Sequence, residues 1–333
     1  MNNAYYIFAK SQIDIERLHI CTWEVPSESS YIEFGVEFLY ESFKNDSVRF
    51  YLAAPWIKEQ DTIICLLENL SNIDNGRFIF NDVVSGIDNV GDDSRDGSIL
   101  KFEKRDNLTV LPCDIKKSEG VISIEIKKPN KYEGHLYFRI LVELGNNTIA
   151  LKKSGIAQTT YIYDFKINET RNLPQDVYNL KKNESLEICK VKKVFCLHAV
   201  PDNFVFSFVD ISKLRNIRKL ESAAFQKYLP KIKDISKDCY NIVFLKDDDH
   251  DGKESYSLFS ICTEETIGSK QIALAVGANI LCSLLFALSS LRFNKNPNLE
   301  WYNQIPWEYW TALATLFILC LYLFTPLKKI FNK

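Results

Sequence analysis

The sequence predicts a mainly β protein, a β-sandwich or a partly open barrel with one α+β portion, followed by a C-terminal two-helix transmembrane hairpin. Short alternating or aromatic-rich runs fill residues 4–167, and two long charge-free runs lie within residues 271–327. Hydrophobic residues make up 46% of the 333-residue chain and aromatic residues 13%, which excludes a disordered protein. The twelve glycines, ten prolines and nine cysteines exclude the collagen-like and disulfide-framework classes.

Residues 1–175 are predicted to form a β-rich cytoplasmic domain. Turn signals such as Asn75-Gly76 and Asp96-Gly97 separate its strand-like runs. Strict alternation in Val121–Lys127 indicates a strand with one buried face and one face in water. The predicted strands are Ala4–Lys10, His19–Trp23, Tyr31–Tyr40, Val48–Ala54, Arg77–Phe80, Ile99–Lys104, Val121–Lys127, Leu136–Leu144 and Thr159–Ile167.

Residues 176–268 are predicted to form a smaller α+β portion, which begins after the polar stretch 168–176. Strands are predicted near residues 185–198, 203–209, 240–246 and 255–262. Between them, apolar residues at helical spacing predict a helix over Ile211–Leu229, which Pro230 ends.

A basic segment, residues 181–233, lies within this portion and carries twelve Lys or Arg residues against five Asp or Glu. Such a segment can lie on anionic lipid, or it can contact a nucleic acid or an acidic protein. The alternative is a solvated surface with no partner. The residues expected to make the contact are Lys190, Lys192, Lys193, Lys213, Arg215, Arg218 and Lys219.

Residues 269–333 are predicted to form the transmembrane hairpin, with spans at about 271–291 and 309–327. Each run is charge-free over about 20 residues, the length that crosses the hydrocarbon core of a bilayer. More basic residues lie at the outer ends of the two spans than in the loop that joins the spans. This distribution places both termini in the cytoplasm. The alternative is a helical hairpin buried in a soluble core.

Small and polar residues in the first span predict helix association. Ala273 and Gly277 form a pair of small residues one turn apart, while Asn279 and Ser283 form a polar pair. Two interpretations explain these residues equally well. They can pack the two helices of one hairpin together, or they can join several hairpins into an oligomer that lines a pore.

Catalytic motifs are absent from the sequence. It contains no nucleotide-binding glycine loop, no Gly-x-Ser-x-Gly elbow and no Cys-x-x-Cys or His-Glu-x-x-His motif, so we predict neither an enzyme nor a cofactor. Asp247, Asp249 and Asp251 before Gly252 match the first half of a calcium loop, but position twelve is Leu258. A solvated hairpin turn is the competing interpretation.

A β-rich cytoplasmic domain without catalytic motifs, followed by the hairpin Ile272–Leu291 and Trp310–Leu327, resembles bacterial anti-phage effectors. Among these it is most similar to the two-transmembrane proteins encoded beside retron reverse transcriptases. The resemblance implies an inner-membrane protein that its reverse transcriptase and RNA–DNA hold silent and that acts in abortive infection. A passive membrane-tethered module that recruits a protein or nucleic acid is the alternative function.

Overall fold

A computed structural model describes residues 4–24, 30–118, 120–144, 149–155, 158–220, 222–230, 240–248, 255–265 and 269–292, together with residues 307, 309–311, 313, 314 and 317. These residues form twenty strands, five α-helices and three short 3-10 helices. The prediction of a mainly β protein is therefore confirmed.

The elements are numbered in chain order. The first ten strands are β1 (Ala4–Ala9), β2 (Asp14–Trp23), β3 (Tyr31–Phe38), β4 (Ser47–Ala53), β5 (Thr62–Cys65), β6 (Val84–Asn89), β7 (Ser98–Phe102), β8 (Leu108–Val110), β9 (Asp114–Ser118) and β10 (Val121–Lys127). The others are β11 (His135–Glu143), β12 (Leu151–Ser154), β13 (Gln158–Ile167), β14 (Glu187–Ile188), β15 (Lys190–Val191), β16 (Lys193–Pro201), β17 (Phe204–Val209), β18 (Leu214–Lys219), β19 (Tyr240–Asp248) and β20 (Tyr256–Glu265). The α-helices are α1 (Leu67–Leu70), α2 (Ile73–Phe80), α3 (Gln175–Asn183), α4 (Ser222–Tyr228) and α5 (Ser269–Arg292), and the 3-10 helices are Tyr40–Ser42, Ser94–Asp96 and Thr170–Asn172.

The strands form two mixed sheets. The first sheet has the order β17-β20-β13-β1-β4-β10-β9, with β12 beside β13 and β14 beside β1. The second sheet has the order β18-β19-β16-β2-β3-β11-β8-β7-β6, with β15 beside β2 and β5 beside β11. Each sheet contains strands from both sides of residue 175. Several central pairings, such as β1 with β13 and β2 with β16, are therefore between segments far apart in the sequence.

The inner faces of the two sheets share a hydrophobic core. Phe50 of the first sheet contacts Phe38 and Phe138 of the second, with ring centroids 5.2 and 5.3 Å apart. The alternating residues of β10 place Ile122, Ile124 and Ile126 in the same core. The alternation in Val121–Lys127 thus gives the buried face that the sequence predicts.

Two sequence predictions of local structure are wrong. The segment predicted as strand Arg77–Phe80 belongs to α2, because the Asn72 side chain caps that helix by accepting from the backbone N–H groups of Asp74 (2.9 Å) and Asn75 (3.3 Å). The helix predicted over Ile211–Leu229 is instead β18 followed by the short α4. Antiparallel pairing with β19 satisfies the backbone of β18 and overrides the helical spacing of its apolar residues.

The chain divides into two compact units, Met1–Lys153 with Thr160–Glu264 and Ser154–Thr159 with Glu265–Lys333. The second unit contains α5, which coincides with the first predicted span, whereas most of the second predicted span lies outside the described residues. Within the part of the chain that the structure describes, no helix is long and apolar enough to cross a membrane.

Candidate functional site

The outer face of the second sheet carries buried polar residues beneath a layer of helices. Side chains alternate along a strand, so Glu33 and Arg139 point away from the core shared by the two sheets. Helices α1, α2 and α4 cover part of this face, where Phe225 lies 4.4 Å from Trp23 between ring centroids. The helices thereby exclude water from side chains that strand periodicity alone would leave exposed.

An ion pair between Arg139 and Glu33 lies at the centre of this face. Both residues are at most 1% exposed, and Arg139 Nε donates to Glu33 Oε2. The carboxylate also accepts from Trp23 Nε1 at 2.6 Å and from the Tyr228 hydroxyl at 2.8 Å. A buried ion pair is tolerated only when its remaining hydrogen-bonding groups are satisfied, and these four residues meet that condition.

The same guanidinium orders a second chain of polar groups. Arg139 Nη1 donates to the Tyr137 hydroxyl at 2.9 Å, and Nη2 donates to Cys21 Sγ at 2.8 Å. The Tyr137 oxygen lies 3.0 Å from His19 Nδ1. Burial and the nearby arginines hold the pKa of His19 well below its ordinary value, so the imidazole is neutral. Because Tyr137 accepts from Arg139, we infer that its hydroxyl donates to Nδ1 and that His19 carries its proton on Nε2.

A cavity of about 240 Å³ opens beside this network. We call it the basic cavity because five cationic residues line it, while none of its lining residues within the described part of the chain is acidic. The cationic residues are Arg17, Arg105, Arg139, Arg215 and Lys246, and three phenylalanines, Phe80, Phe195 and Phe244, also line it.

Carboxylates outside the lining hold most of these cations in place. Glu37 is buried, lies 3.7 Å from both Arg17 Nε and Arg105 Nη2, and is 2.7 Å from His135 Nδ1. Asp248 lies 2.8 Å from Lys246 Nζ and 3.9 Å from Arg215 Nη2. These acids therefore orient the cations without lining the cavity themselves, so the charged groups that line the cavity are positive.

Aromatic rings lie beside cations in the lining of the basic cavity. The guanidinium carbon of Arg105 lies 5.4 Å from the ring centroid of Phe80, and Lys246 Nζ lies 5.7 Å from that of Phe195. The His19 ring is 5.3 Å from Phe195. This arrangement favours a ligand that has both negative charge and a planar ring.

The structure disperses the predicted basic contacts. Arg215 lines the basic cavity, and Arg218 lies 5.2 Å from the ring of Phe244. Lys192 bonds Glu16 at 2.6 Å, whereas Lys213 lies 3.1 Å from Asp210 and 3.5 Å from Asp247. Exposed positions on strands are occupied by Lys190, Lys193 and Lys219. The segment thus supplies one cation, Arg215, to a cavity whose other cations come from β2, β11, β19 and the turn after β7.

Sequence reasoning missed Arg17, Arg105, Arg139, Lys246 and the three phenylalanines of the basic cavity. Arg17, Arg139, Lys246, Phe195 and Phe244 lie on strands, Arg105 lies in a turn and Phe80 lies on α2. The pairing of distant strands that gathers these residues is not visible in the sequence.

The predicted calcium loop is described only at its first ligand. Asp247 is buried and lies beside Lys213, while Asp249 and Asp251 lie outside the described residues. Among the residues that the structure does describe, no group of three or more His, Cys, Asp or Glu side chains could hold a metal ion.

A buried histidine between the sheets makes stability depend on pH. His198 Nδ1 bonds Thr22 Oγ1, and its ring lies 3.8 Å from that of Tyr163. Burial lowers the pKa of His198 to about 3 and also lowers that of His19, so both stay neutral in the folded protein while the unfolded chain binds protons below pH of about 6.5. We therefore expect stability to fall as pH decreases from 7.5 to 5.5, by on the order of 1 kcal/mol for each histidine.

Urea unfolding of the wild type and of His198→Gln at both pH values tests this expectation. The variant should lose less stability on acidification, whatever its absolute stability. His135 acts in the opposite direction, because its hydrogen bond to Glu37 raises its pKa. Its stabilising contribution is present below pH of about 6.5 and is lost as pH rises through the folded-state pKa. Equal pH dependence in the wild type and His198→Gln would contradict the assignment.

No family model matches the chain, and no curated protein matches it.

Proposed function

We propose that the chain is a membrane-anchored effector, in which the β unit controls a C-terminal hairpin that perturbs the bacterial inner membrane when triggered. The resemblance to retron-associated two-transmembrane proteins supports this proposal. It extends to an abortive-infection role in which a reverse transcriptase and its RNA–DNA keep the chain silent. The termini would both lie in the cytoplasm.

The observation that carries the proposal is the exposure of apolar side chains on α5. Ile272, Val276, Ile280, Leu281 and Leu284 are each more than half exposed, between 53% and 57%. At about 3.6 residues per turn, these positions cover about half of the helix circumference. A helix in a soluble core buries such residues, and a surface helix has them on one stripe only, so this pattern favours a lipid environment.

A ring contact within the second unit supports a hairpin. Phe286 on α5 lies 4.9 Å from Tyr309, in an edge-to-face arrangement. Where it is described, the chain from residue 307 to residue 317 is helical, and it exposes Trp307, Trp310 and Phe317 by 52–65%. Residues 286 and 309 flank the connecting segment, so their contact fits two antiparallel helices. Trp307 and Trp310 are the residue type that occupies the membrane–water interface.

Asn279 is the residue through which we propose that hairpins associate. Gly277, Asn279 and Ser283 are exposed on α5, whereas the side chain of Ala273 lies outside the description. The Ser283 hydroxyl donates to the backbone carbonyl of Asn279 on the same helix, at 2.9 Å. The Asn279 amide is then the group that we expect to bond a neighbouring hairpin, since polar side chains pair across helices in lipid.

Expression of the full chain in a bacterium, followed by membrane-potential and propidium measurements, tests the proposal. The native chain should depolarise the membrane, and Asn279→Leu should abolish depolarisation while membrane insertion persists. Ser283→Ala is the matched control and should keep the activity, because its hydroxyl bonds its own helix. Full depolarisation by Asn279→Leu would remove that residue from the mechanism.

Replacement of residues 269–333 by an unrelated two-span anchor tests the role of the hairpin. If the chain is an effector, the variant with the foreign anchor should no longer depolarise the membrane. A chain that keeps its cellular activity with any anchor is instead a passive membrane-tethered binding module. The basic cavity favours that second candidate, because a β unit with a ligand cavity is sufficient to recruit a partner.

A further inference from the structure

We propose that the basic cavity binds a 5′-phosphorylated nucleoside, with the phosphate on its cationic residues and the base against its phenylalanines. This inference concerns the β unit alone. It goes beyond the membrane activity proposed above and does not depend on it.

The cationic residues provide the phosphate site. Their side-chain exposure decreases from 57% at Arg215 through 25% at Lys246 and 17% at Arg105 to 1% at Arg139, so positive charge extends from the mouth to the floor of the cavity. Arg139 already donates to Glu33, Tyr137 and Cys21 and therefore contributes charge only.

The guanidinium groups nearer the mouth of the cavity have N–H donors that can bind a phosphate. Arg17 and Arg105 lie 3.7 Å from Glu37, and Arg215 lies 3.9 Å from Asp248, distances beyond a hydrogen bond. The acids thus orient these guanidinium groups without accepting hydrogen bonds from them at those contacts. Arginine is the residue best suited to bidentate binding of phosphate oxygens, which makes these three the expected partners.

The phenylalanines provide the site for the base. Phe195 and Phe244 belong to the adjacent strands β16 and β19, and Phe80 approaches from the end of α2. All three rings are only partly buried, although the neighbouring core residues are fully buried. A flat heteroaromatic ring stacks on such surfaces whatever its identity, and the amides of Asn81 and Asn216 in the lining can bond its edge.

The size of the basic cavity favours a single nucleotide over a longer ligand. Its volume of about 240 Å³ lies just below the range of about 300–1,000 Å³ that is usual for small-molecule sites. A free mononucleotide and the 5′ end of a nucleic-acid strand offer the same phosphate and base, so the source of the ligand is decided by experiment.

Calorimetric titration of the full chain in detergent tests the proposal. The probes are the four 5′-monophosphates, the matching nucleosides, inorganic phosphate and a 5′-phosphorylated oligonucleotide. We expect at least one monophosphate to bind, with the nucleoside and phosphate each about tenfold or more weaker, because each retains only half of the contacts. Similar affinities for the monophosphate and the oligonucleotide would identify a strand-end site, whereas weaker oligonucleotide binding would identify a free nucleotide.

Variants at the mouth of the cavity connect binding to this site. Lys246→Gln and Arg215→Gln should each weaken monophosphate binding by about tenfold. Lys101→Gln is the matched control, since Lys101 is also a partly buried strand lysine beside an aspartate, 2.6 Å from Asp88, and lies outside the cavity. Two outcomes would overturn the proposal. One is a cooperatively folded chain that binds no monophosphate at millimolar concentration, and the other is binding that both cavity variants leave unchanged. Neither outcome bears on depolarisation by the hairpin.

Discussion

Replacing Arg139 with Met is expected to lower the free energy of unfolding by about 3–5 kcal/mol. The substitution fills most of the volume of the side chain but leaves the Glu33 carboxylate fully buried without its counter-charge. It also removes the donors to the Tyr137 hydroxyl and to Cys21. Urea unfolding followed by tryptophan fluorescence measures the loss, since Trp23 lies within the network.

The double variant Arg139→Met with Glu33→Gln distinguishes an uncompensated charge from simple loss of packing. Gln at position 33 is neutral, its carbonyl oxygen can accept from Trp23, and its NH2 group can donate to the Tyr228 hydroxyl, which then acts as an acceptor. The double variant should therefore be destabilised by clearly less than the sum of the two single variants. Additive effects would mean that the pair contributes little through its charges.

Gly35→Ala is expected to lower the free energy of unfolding by about 1–3 kcal/mol. Gly35 is paired with His19 on β2 and with Arg139 on β11, so it lies in the middle of the polar network. A Cβ atom at this position would lie only 1.9 Å from the hydroxyl oxygen of Tyr137 and 2.6 Å from its ring. The tyrosine would have to move, and its hydrogen bonds to Arg139 and His19 would be disturbed.

Gly86→Ala is the matched control for this substitution. Gly86 is also a strand glycine, but the nearest atom to an added Cβ would be 4.0 Å away, on the flexible Lys101 side chain. We expect its effect on thermal unfolding to be close to zero. If the two alanine variants were equally stable, close packing of Tyr137 on Gly35 would not contribute to stability.

The sequence was sufficient to predict the β-rich fold, because strand periodicity is a local signal. The predicted strand Val121–Lys127 has the same bounds as β10, and Ala4–Lys10 differs from β1 by one residue. The errors occurred where local signals compete. Asn75-Gly76 is typical of a turn, but the Asn72 cap and packing on the second sheet place both residues in α2.

The basic cavity could not be predicted, because its residues come together only through long-range pairing. Glu33 and Arg139 occupy the polar positions of alternating strands, and such positions usually face water. Only the packing of α2 and α4 on this face makes them a buried network. A lysine cluster in sequence is, by contrast, easily noticed, yet among the residues of the basic segment only Arg215 was both predicted to make contact and found in the cavity lining.

The position of β18 gives its basic residues a second consequence. This strand lies at one end of the second sheet and exposes Ile217 by 48%, and nearby Ile211 is 82% exposed. An outermost strand with apolar side chains is a template for pairing with other chains, and lysine and arginine are residues that natural proteins use to prevent such aggregation. We therefore expect Lys213, Arg215, Arg218 and Lys219, on or directly before β18, to protect this edge of the sheet from pairing with other chains. Glutamates at these positions would preserve that protection, whereas uncharged residues would remove it.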